Sequence, residues 1–313
     1  MKLRMTLLVA AVLIAAAPAW SAESAPKTLL IADTGFSSTD SLIASHTIYQ
    51  ICLMDWYACP NGSNVQESGT AALLTPTQLN SSGFDHGTKM ARAAIAAYPD
   101  VKLVLVRIIG QSSSGARLSA SEGVITKVLN WAEKNATTYN IGAIAISQGS
   151  NKIGTNARRC LSSPATDKAV ASLRAKGIFS FFPVGNDGRT DVINWPACIA
   201  DSVAVGAIDK SGAIASYSNY APGQVDVYEP GYLIDSAIAS NTSDSGSSYS
   251  VQYAAAHWLS LVNQFPTTRP ALIYWNFIFS GEPISNSKGQ SGWSTDLQSV
   301  IFTLAPAQPK IGD

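Results

Sequence analysis

Short, nearly continuous apolar runs alternate with amphipathic helical patterns along most of this 313-residue chain. Runs of this kind are typical of strands that are buried on both faces, as in a parallel sheet. The alternation therefore predicts an α/β fold, with a mainly parallel sheet and helices on both of its faces. The predicted strands are 27–33, 101–109, 144–147, 178–184, 203–208 and 225–228, and the predicted helices are 87–98, 119–134, 166–175 and 249–263.

The N-terminal segment has the pattern of a secretory signal peptide. Lys2 and Arg4 precede an apolar run at 7–17, and small residues follow, so we expect cleavage between 19 and 22. No later stretch reaches the roughly 18 apolar residues of a membrane-spanning helix. We therefore predict a secreted or periplasmic protein in which residues 23–313 form one catalytic domain, with no recognisable propeptide.

The charge balance and the histidine count limit the expected partners and cofactors. Lys plus Arg and Asp plus Glu both number 21, so nothing predicts nucleic acid or an anionic membrane as a partner. Only three histidines are present, and the cysteines lack paired C-x-x-C spacing, so we predict no metal centre. We expect no cofactor, and structural calcium has no clear site in the sequence.

Four cysteines in an exported chain predict two disulfides. Four cysteines allow three pairings. We favour Cys52 with Cys59 and Cys160 with Cys198, because each of these bridges closes a local loop.

A Gly- and Ser-rich stretch meets a predicted helix at Gly246-Ser247-Ser248. A serine at the start of a helix is most often a cap. A hydroxyl there also faces backbone N–H groups that can hold an oxyanion, and it becomes a nucleophile if a base lies beside it. The hypothesis of a nucleophile therefore depends on whether the chain supplies a base.

Of the three histidines, His86 is the best candidate for that base, although a histidine at the start of a helix is by itself more often a capping or packing residue. His257 follows Ser248 by nine residues on the same predicted helix, about 13 Å along its axis, and is expected to be structural. His46 lies in an irregular polar stretch with no evident partner. His86 begins a helix after a loop, and Gly87 next to it permits close approach of another backbone.

Four short motifs, each at a predicted element boundary, form one pattern in order along the chain. They are Asp33-Thr34-Gly35, His86-Gly87-Thr88, Gly185-Asn186 and Gly246-Ser247-Ser248. The order Asp, His, Ser is that of subtilisin. The chain resembles the subtilases, the subtilisin-like serine proteases of peptidase family S8. The resemblance also covers the segments at 122–135, 141–150, 167–188 and 201–231.

The resemblance implies a subtilisin-like three-layer fold and a serine endopeptidase. Ser248 would be the nucleophile and His86 the general base and then acid. Asp33 would hold the imidazole tautomer. The side-chain amide of Asn186 and the backbone N–H of Ser248 would form the oxyanion hole.

The same resemblance implies the substrate-binding residues, with proteins or peptides as partners. Ser147, Gln148 and Gly149 would form a strand edge that pairs with the substrate backbone. Gly185 would wall the pocket for the residue before the scissile bond, and Asn194 would lie at the floor of that pocket. A polar floor argues against a strict preference for a large aromatic side chain.

The chain departs from the family pattern near both the serine and the histidine. Gln252 stands where a helix-opening proline is usual and Ser250 where alanine is usual, which predicts a less rigid serine loop. Lys89 and Arg92 replace the usual histidine and glycine after the catalytic histidine, so packing there must differ. Without a recognisable propeptide, we expect the chain to fold unaided or to use a separate helper or inhibitor.

Two alternatives stay open at this stage. Asp33-Thr34-Gly35 and Asp244-Ser245-Gly246 could be the paired motifs of a pepsin-like aspartic protease. That fold is mostly β, however, and it would leave His86 and Asn186 without a role. The altered serine loop also allows a pseudoprotease that binds peptides without cutting them.

Overall fold

The computed structural model describes most of the chain and shows an α/β architecture. The described residues are 25–55, 59–67, 70–81, 83–112, 116–150, 160–234 and 244–305, so the predicted signal peptide lies outside them. The strands are β1 (Thr28–Asp33), β2 (Phe36–Ser37), β3 (Thr47–Leu53), β4 (Val65–Gln66), β5 (Leu73–Leu74), β6 (Leu103–Arg107), β7 (Ile141–Ile146), β8 (Phe179–Pro183), β9 (Val203–Ile208), β10 (Val227–Pro230), β11 (Pro283–Ser285) and β12 (Ser291–Trp293). The helices are α1 (Ser41–His46), α2 (Pro76–Leu79), α3 (His86–Ala97), α4 (Glu122–Asn135), α5 (Pro164–Ala175), α6 (Ser247–Gln264), α7 (Pro270–Phe279) and α8 (Leu297–Leu304).

An eight-stranded sheet forms the centre of the molecule, in the order β10-β9-β8-β7-β1-β6-β3-β4. All of its pairs are parallel except β3 with β4. Strand β1 is central, with Asp33 in register with Arg107 of β6 and Ala32 with Ile146 of β7. The prediction of a mainly parallel sheet is confirmed. The carboxyl end of β1 lies near the middle of the row that the carboxyl ends of the parallel strands form, here called the carboxyl edge of the sheet.

Two hydrophobic cores lie on opposite faces of the sheet. Successive side chains of a strand point to opposite faces, so Leu29 and Ile31 belong to one core and Leu30 and Ala32 to the other. Helices α3, α6 and α7 cover the first face, and α4 and α5 cover the second. Burial on both faces explains why the strand sequences are continuously apolar.

Two sequence expectations about secondary structure are wrong. The polar, irregular sequence up to Asn80 predicts surface loops and one short strand, but this segment contains α1 and the seven-residue strand β3 of the main sheet. Only the last three residues of β3 are buried, so its apolar signal is short. The capping-box pattern Ser119-x-x-Glu122 predicts Ser119 as the cap of α4, but the cap is Ser121, whose Oγ accepts from the N–H of Val124 at 3.0 Å.

The structure contains two disulfides, Cys52–Cys59 and Cys160–Cys198, which are the pairs that the sequence favoured. The second joins residues that are 38 positions apart and is here called the long-loop disulfide. Within the described ranges, no helix has both the length and the apolar character needed to cross a membrane.

Candidate active site

Strand β1 ends in a fully buried carboxylate. Asp33 Oδ1 accepts two hydrogen bonds, from the backbone N–H of Thr34 at 2.7 Å and from His86 Nδ1 at 2.7 Å. The sheet therefore places one carboxylate at the middle of its carboxyl edge, the usual location of sites in open α/β folds.

Helix α3 begins at His86 and packs closely against the end of β1. A Cβ on Gly87 would lie 2.3 Å from the carbonyl oxygen of Gly35, so only glycine allows this approach. Thr34 Oγ1 fixes the contact, because it accepts from the N–H of Gly87 at 3.0 Å and donates to the carbonyl of Phe84 at 2.9 Å. The His86 side chain remains 25% exposed, which leaves the imidazole accessible from solvent.

The pair shifts the pKa of both partners toward their charged forms. Burial raises the pKa of Asp33, but the charge and hydrogen bond of His86 outweigh it, and the net pKa lies below the usual value. Burial lowers the pKa of His86, but the charge and hydrogen bond of Asp33 outweigh it, so the net pKa is raised. The charge of Arg117 opposes this rise and that of Asp244 adds to it. With Nδ1 donating to Asp33, Nε2 of the neutral ring is free to accept a proton.

Ser248 lies in the first turn of α6 and is partly exposed. Its carbonyl accepts from Ser147 Oγ at 2.9 Å, whereas its own hydroxyl makes no hydrogen bond within the described part of the chain. Helix α6 packs against α3, and Lys89 Nζ of α3 lies 2.6 Å from Asp244 Oδ2. This ion pair ties the loop before Ser248 to α3. Serine–histidine contacts are often long in a free enzyme and tighten with substrate.

Asn186 follows β8, and its side-chain amide has a defined orientation. Its Oδ1 accepts from the backbone N–H of Ser247 at 2.8 Å and from Ser247 Oγ at 2.8 Å. The backbone N–H can only donate, so the atom that faces it must be the oxygen. The amide nitrogen is therefore turned away from Ser247 and lies beside Gly246, at the start of α6, which is here called the serine helix because it holds Ser248.

The predicted substrate edge directly follows β7. Ser147, Gln148 and Gly149 lead to Ser150, which forms an antiparallel bridge with Trp195 through N–H to carbonyl bonds of 2.9 and 3.1 Å. This bridge holds the far end of the segment, while Ser147 is held by the serine helix.

The two predicted pocket residues lie together. Asn194 is 8% exposed, and its side-chain nitrogen is 2.3 Å from the position that a Cβ on Gly185 would take. Asn219 Nδ2 donates to Asn194 Oδ1 at 3.2 Å, which orients the amide.

The other candidate groups have structural partners away from the Asp33–His86 pair. His257 Nδ1 lies 2.8 Å from Glu229 Oε1, and His46 bonds two backbone carbonyls. Asp244 Oδ2 accepts from Lys89 and Tyr249, and within the described residues it makes no hydrogen bond with Asp33. The parallel sheet also excludes the pepsin-like alternative, which requires a mostly β fold. Within the described part of the chain, no group of three or more His, Cys, Asp or Glu side chains could hold a metal ion.

Sequence reasoning missed Thr34 and Ser247 as supports of the site. Each is the immediate neighbour of a predicted catalytic residue, and both side chains bond to the next motif along the sheet edge. Their hydroxyl groups were the only sequence feature that could have suggested this role. Their position next to Asp33 and Ser248 did not show which partner each hydroxyl would bind.

Comparison with solved structures shows the same architecture. A protease from Pseudoalteromonas arctica PAMC 21717 aligns with a TM-score of 0.69 at 18% identity, over 89% of this chain and 90% of its own. A cold adapted subtilisin-like serine proteinase aligns with a TM-score of 0.59 at 18% identity, over 85% and 87%. Together with the parallel sheet, these neighbours define a subtilisin-like protease fold.

The sequence comparisons place the chain in a family. Residues 27–270 match the subtilase family, and the chain belongs to it. The thermostable alkaline protease of Halalkalibacterium halodurans is 27% identical over 239 residues, which are 76% of this chain and 57% of that relative. Subtilisin DY of Bacillus licheniformis is 25% identical over 232 residues, 70% of this chain and 78% of that relative. The chain thus spans little more than half of the first relative and most of the second.

Proposed function

We propose that this protein is an exported serine endopeptidase that cleaves proteins or peptides through an acyl-enzyme, with no cofactor. The observation that carries the proposal is the 2.7 Å contact between buried Asp33 and His86 Nδ1. This contact leaves Nε2 as a base next to the helix that presents Ser248. Membership of the subtilase family supports the same chemistry.

In the proposed mechanism, His86 Nε2 takes the proton of Ser248 Oγ as that oxygen attacks the substrate carbonyl. The imidazolium then protonates the leaving amine, and an acyl-enzyme remains on Ser248. Water then attacks the acyl carbonyl and loses a proton to His86, and the imidazolium returns that proton to Ser248 Oγ as the bond to the acyl group breaks and the acid leaves. Throughout the cycle, the buried Asp33 carboxylate stabilises the charged imidazolium and keeps the ring in the productive tautomer.

The proposed oxyanion hole consists of Asn186 Nδ2 and the backbone N–H of Ser248. Ser247 binds the oxygen of the Asn186 amide, which leaves the nitrogen as the available donor. A donor that is fixed before the reaction stabilises the oxyanion without reorganisation, and removal of one such donor costs about 10²–10³ in turnover.

The proposed substrate groove lies along residues 147–149, the segment that follows β7. Residues 147–149 would pair with the substrate as an added strand. The amide of Asn194 would meet the side chain before the scissile bond. This polar group favours small or hydrogen-bonding side chains over large aromatic ones, because an aromatic ring would bury the amide without a partner.

Export agrees with the disulfides, since such bonds persist in oxidising compartments. We expect the mature protein, isolated from a periplasmic or extracellular fraction, to begin after residue 19 to 22. An intact N-terminus in that fraction, measured by mass spectrometry, would contradict the proposed cleavage.

The proposed chemistry is tested by labelling the mature protein with a fluorophosphonate and mapping the adduct. We expect one adduct on Ser248, which is lost in His86→Ala, and no peptide hydrolysis by Ser248→Ala. Absence of an adduct on the folded, disulfide-bonded protein would overturn the proposal in favour of a peptide-binding pseudoprotease. Hydrolysis retained by Ser248→Ala would show that the nucleophile is wrong.

A further inference from the structure

Gln252 is fully buried in the second turn of α6, at the position where the family usually has proline. Its Nε2 donates to Ser147 Oγ at 2.8 Å, and Ser147 Oγ donates to the carbonyl of Ser248 at 2.9 Å. These two bonds are here called the Gln252 relay. They join the serine helix to the segment that follows β7.

The direction of the relay is fixed by the chemistry of its members. The carbonyl of Ser248 can only accept, and it is a stronger acceptor than the sulfur of Met90 at 3.5 Å, so the single hydroxyl proton of Ser147 points toward the carbonyl. The Ser147 oxygen then accepts, and the group that faces it must be the amide NH₂ of Gln252. Ser147 is 5% exposed, so water has little access to compete for these bonds.

The relay connects two parts of the site that no strand pairing joins. Ser147 begins the proposed substrate edge, and Ser248 is the proposed nucleophile. We propose that Gln252 is a positioning residue that holds this substrate edge in register with Ser248. This inference rests on the proposed function. Small displacements between a bound substrate and its nucleophile lower turnover strongly, while affinity for the rest of the groove is retained.

Gln252 also lowers the stability of the fold, which an apolar residue of similar length would not do. Its Oε1 is buried and has no hydrogen-bond partner among the residues that the structure describes. An unpartnered buried acceptor is destabilising. Methionine has a similar length and no such acceptor, so Gln252→Met should preserve or raise the melting temperature. If Gln252 serves positioning, the same substitution should lower turnover.

Gln290 offers a matched control. It is 3% exposed, its Oε1 accepts from Asn286 Nδ2, and its Nε2 lacks a partner within the described residues. Gln290→Met therefore removes one buried amide with one bonded and one unbonded atom. It does so in the turn between β11 and β12, where Gln290 bonds to Asn286 and not to a member of the Gln252 relay.

The experiment measures kcat, KM, fluorophosphonate labelling rate and melting temperature for the mature protein and its variants. For Gln252→Met we expect kcat and labelling rate to fall about two- to thirteenfold, the range of one net hydrogen bond, with KM changed less than about twofold. The melting temperature should not fall. Gln290→Met should leave both rates unchanged. Ser147→Ala combined with Gln252→Met should be no slower than Ser147→Ala alone, because the glutamine acts through that hydroxyl.

Amide hydrogen exchange at residues 147–150 tests the relay independently of the proposed function, because it does not require that the protein hydrolyse peptides. We expect faster exchange there in Gln252→Met but not in Gln290→Met, whether or not the wild type hydrolyses peptides. A wild type without labelling, combined with faster exchange, would overturn the proposed function and support the relay as a tether. Unchanged exchange, unchanged kcat, or fully additive losses in the double variant would overturn the relay.

Discussion

Ser247→Ala is the most direct test of how the Asn186 amide is oriented. The substitution removes the 2.8 Å bond from Ser247 Oγ to Asn186 Oδ1 and keeps the 2.8 Å bond from the backbone N–H. One neutral hydrogen bond contributes about 0.5–1.5 kcal/mol net. If that energy is lost only in the transition state, kcat should fall about two- to thirteenfold while KM changes little.

The upper limit of this effect is set by Asn186 itself. Asn186→Ala should lower kcat about 10²–10³-fold, because it removes a donor to the oxyanion. Ser247 lies behind this amide and acts through it. The double variant should therefore be no slower than Asn186→Ala alone, a non-additivity that a double-mutant cycle measures directly.

Ser250→Ala is the matched control on the same helix. Ser250 is also fully buried, but its hydroxyl donates to the carbonyls of Glu229 and Pro230 and not to Asn186. With a chromogenic peptide substrate, we expect its kcat to stay within about twofold of wild type, even if its melting temperature falls. A further tenfold loss on adding Ser247→Ala to Asn186→Ala would refute the argument, as would equal kcat losses in the two serine variants.

Three other predictions follow from charges and crosslinks. Asp244 raises the pKa of His86 and Arg117 lowers it. In pH profiles of kcat/KM, Asp244→Asn should therefore move the acid limb to lower pH, and Arg117→Ala should move it to higher pH. Shifts in the same direction would contradict this account. Lys89→Met should lower kcat by freeing the loop before the nucleophile, and its deficit relative to wild type should shrink at 1 M salt, where surface charges are screened. An equal deficit at all salt concentrations would rule out the ionic tether. Removing the long-loop disulfide, which spans 38 positions, should lower the unfolding free energy by up to about 4 kcal/mol in denaturant titrations, and an unchanged midpoint would disprove a stabilising role.

The fold was predictable from sequence where a strand is buried on both faces. The apolar run at 203–208 coincides with β9, and the run at 27–33 contains β1. Strand β3 was missed because polar Thr47 and Gln50 interrupt its first half, where no residue is buried, so no continuous apolar run marks it. Parallel pairing with β6 stabilises the segment as a strand, in agreement with its β-branched and aromatic residues.

The candidate site was predictable as a set of motifs but not as a network. Asp33, His86, Asn186 and Ser248 stand at element boundaries, and parallel strands bring such boundaries to one edge. The bonds that orient these groups come from side chains whose sequence separation is large. Gln252 and Ser147 are 105 residues apart, and neither residue alone indicates the other.

The departures from the family pattern near the serine and the histidine are each matched by a partner elsewhere in the chain. Lys89 binds Asp244, and Arg92 Nε lies 2.8 Å from Asp40, whose side chain also caps α1. Gln252 was expected to leave the serine loop less rigid, but its amide is anchored on Ser147. A proline would fix one φ angle within α6 and could not bond to another element. The glutamine restricts the same turn by tying it to the segment after β7, so under the proposed mechanism it would constrain the distance between Ser248 and a bound substrate, which a proline leaves to packing.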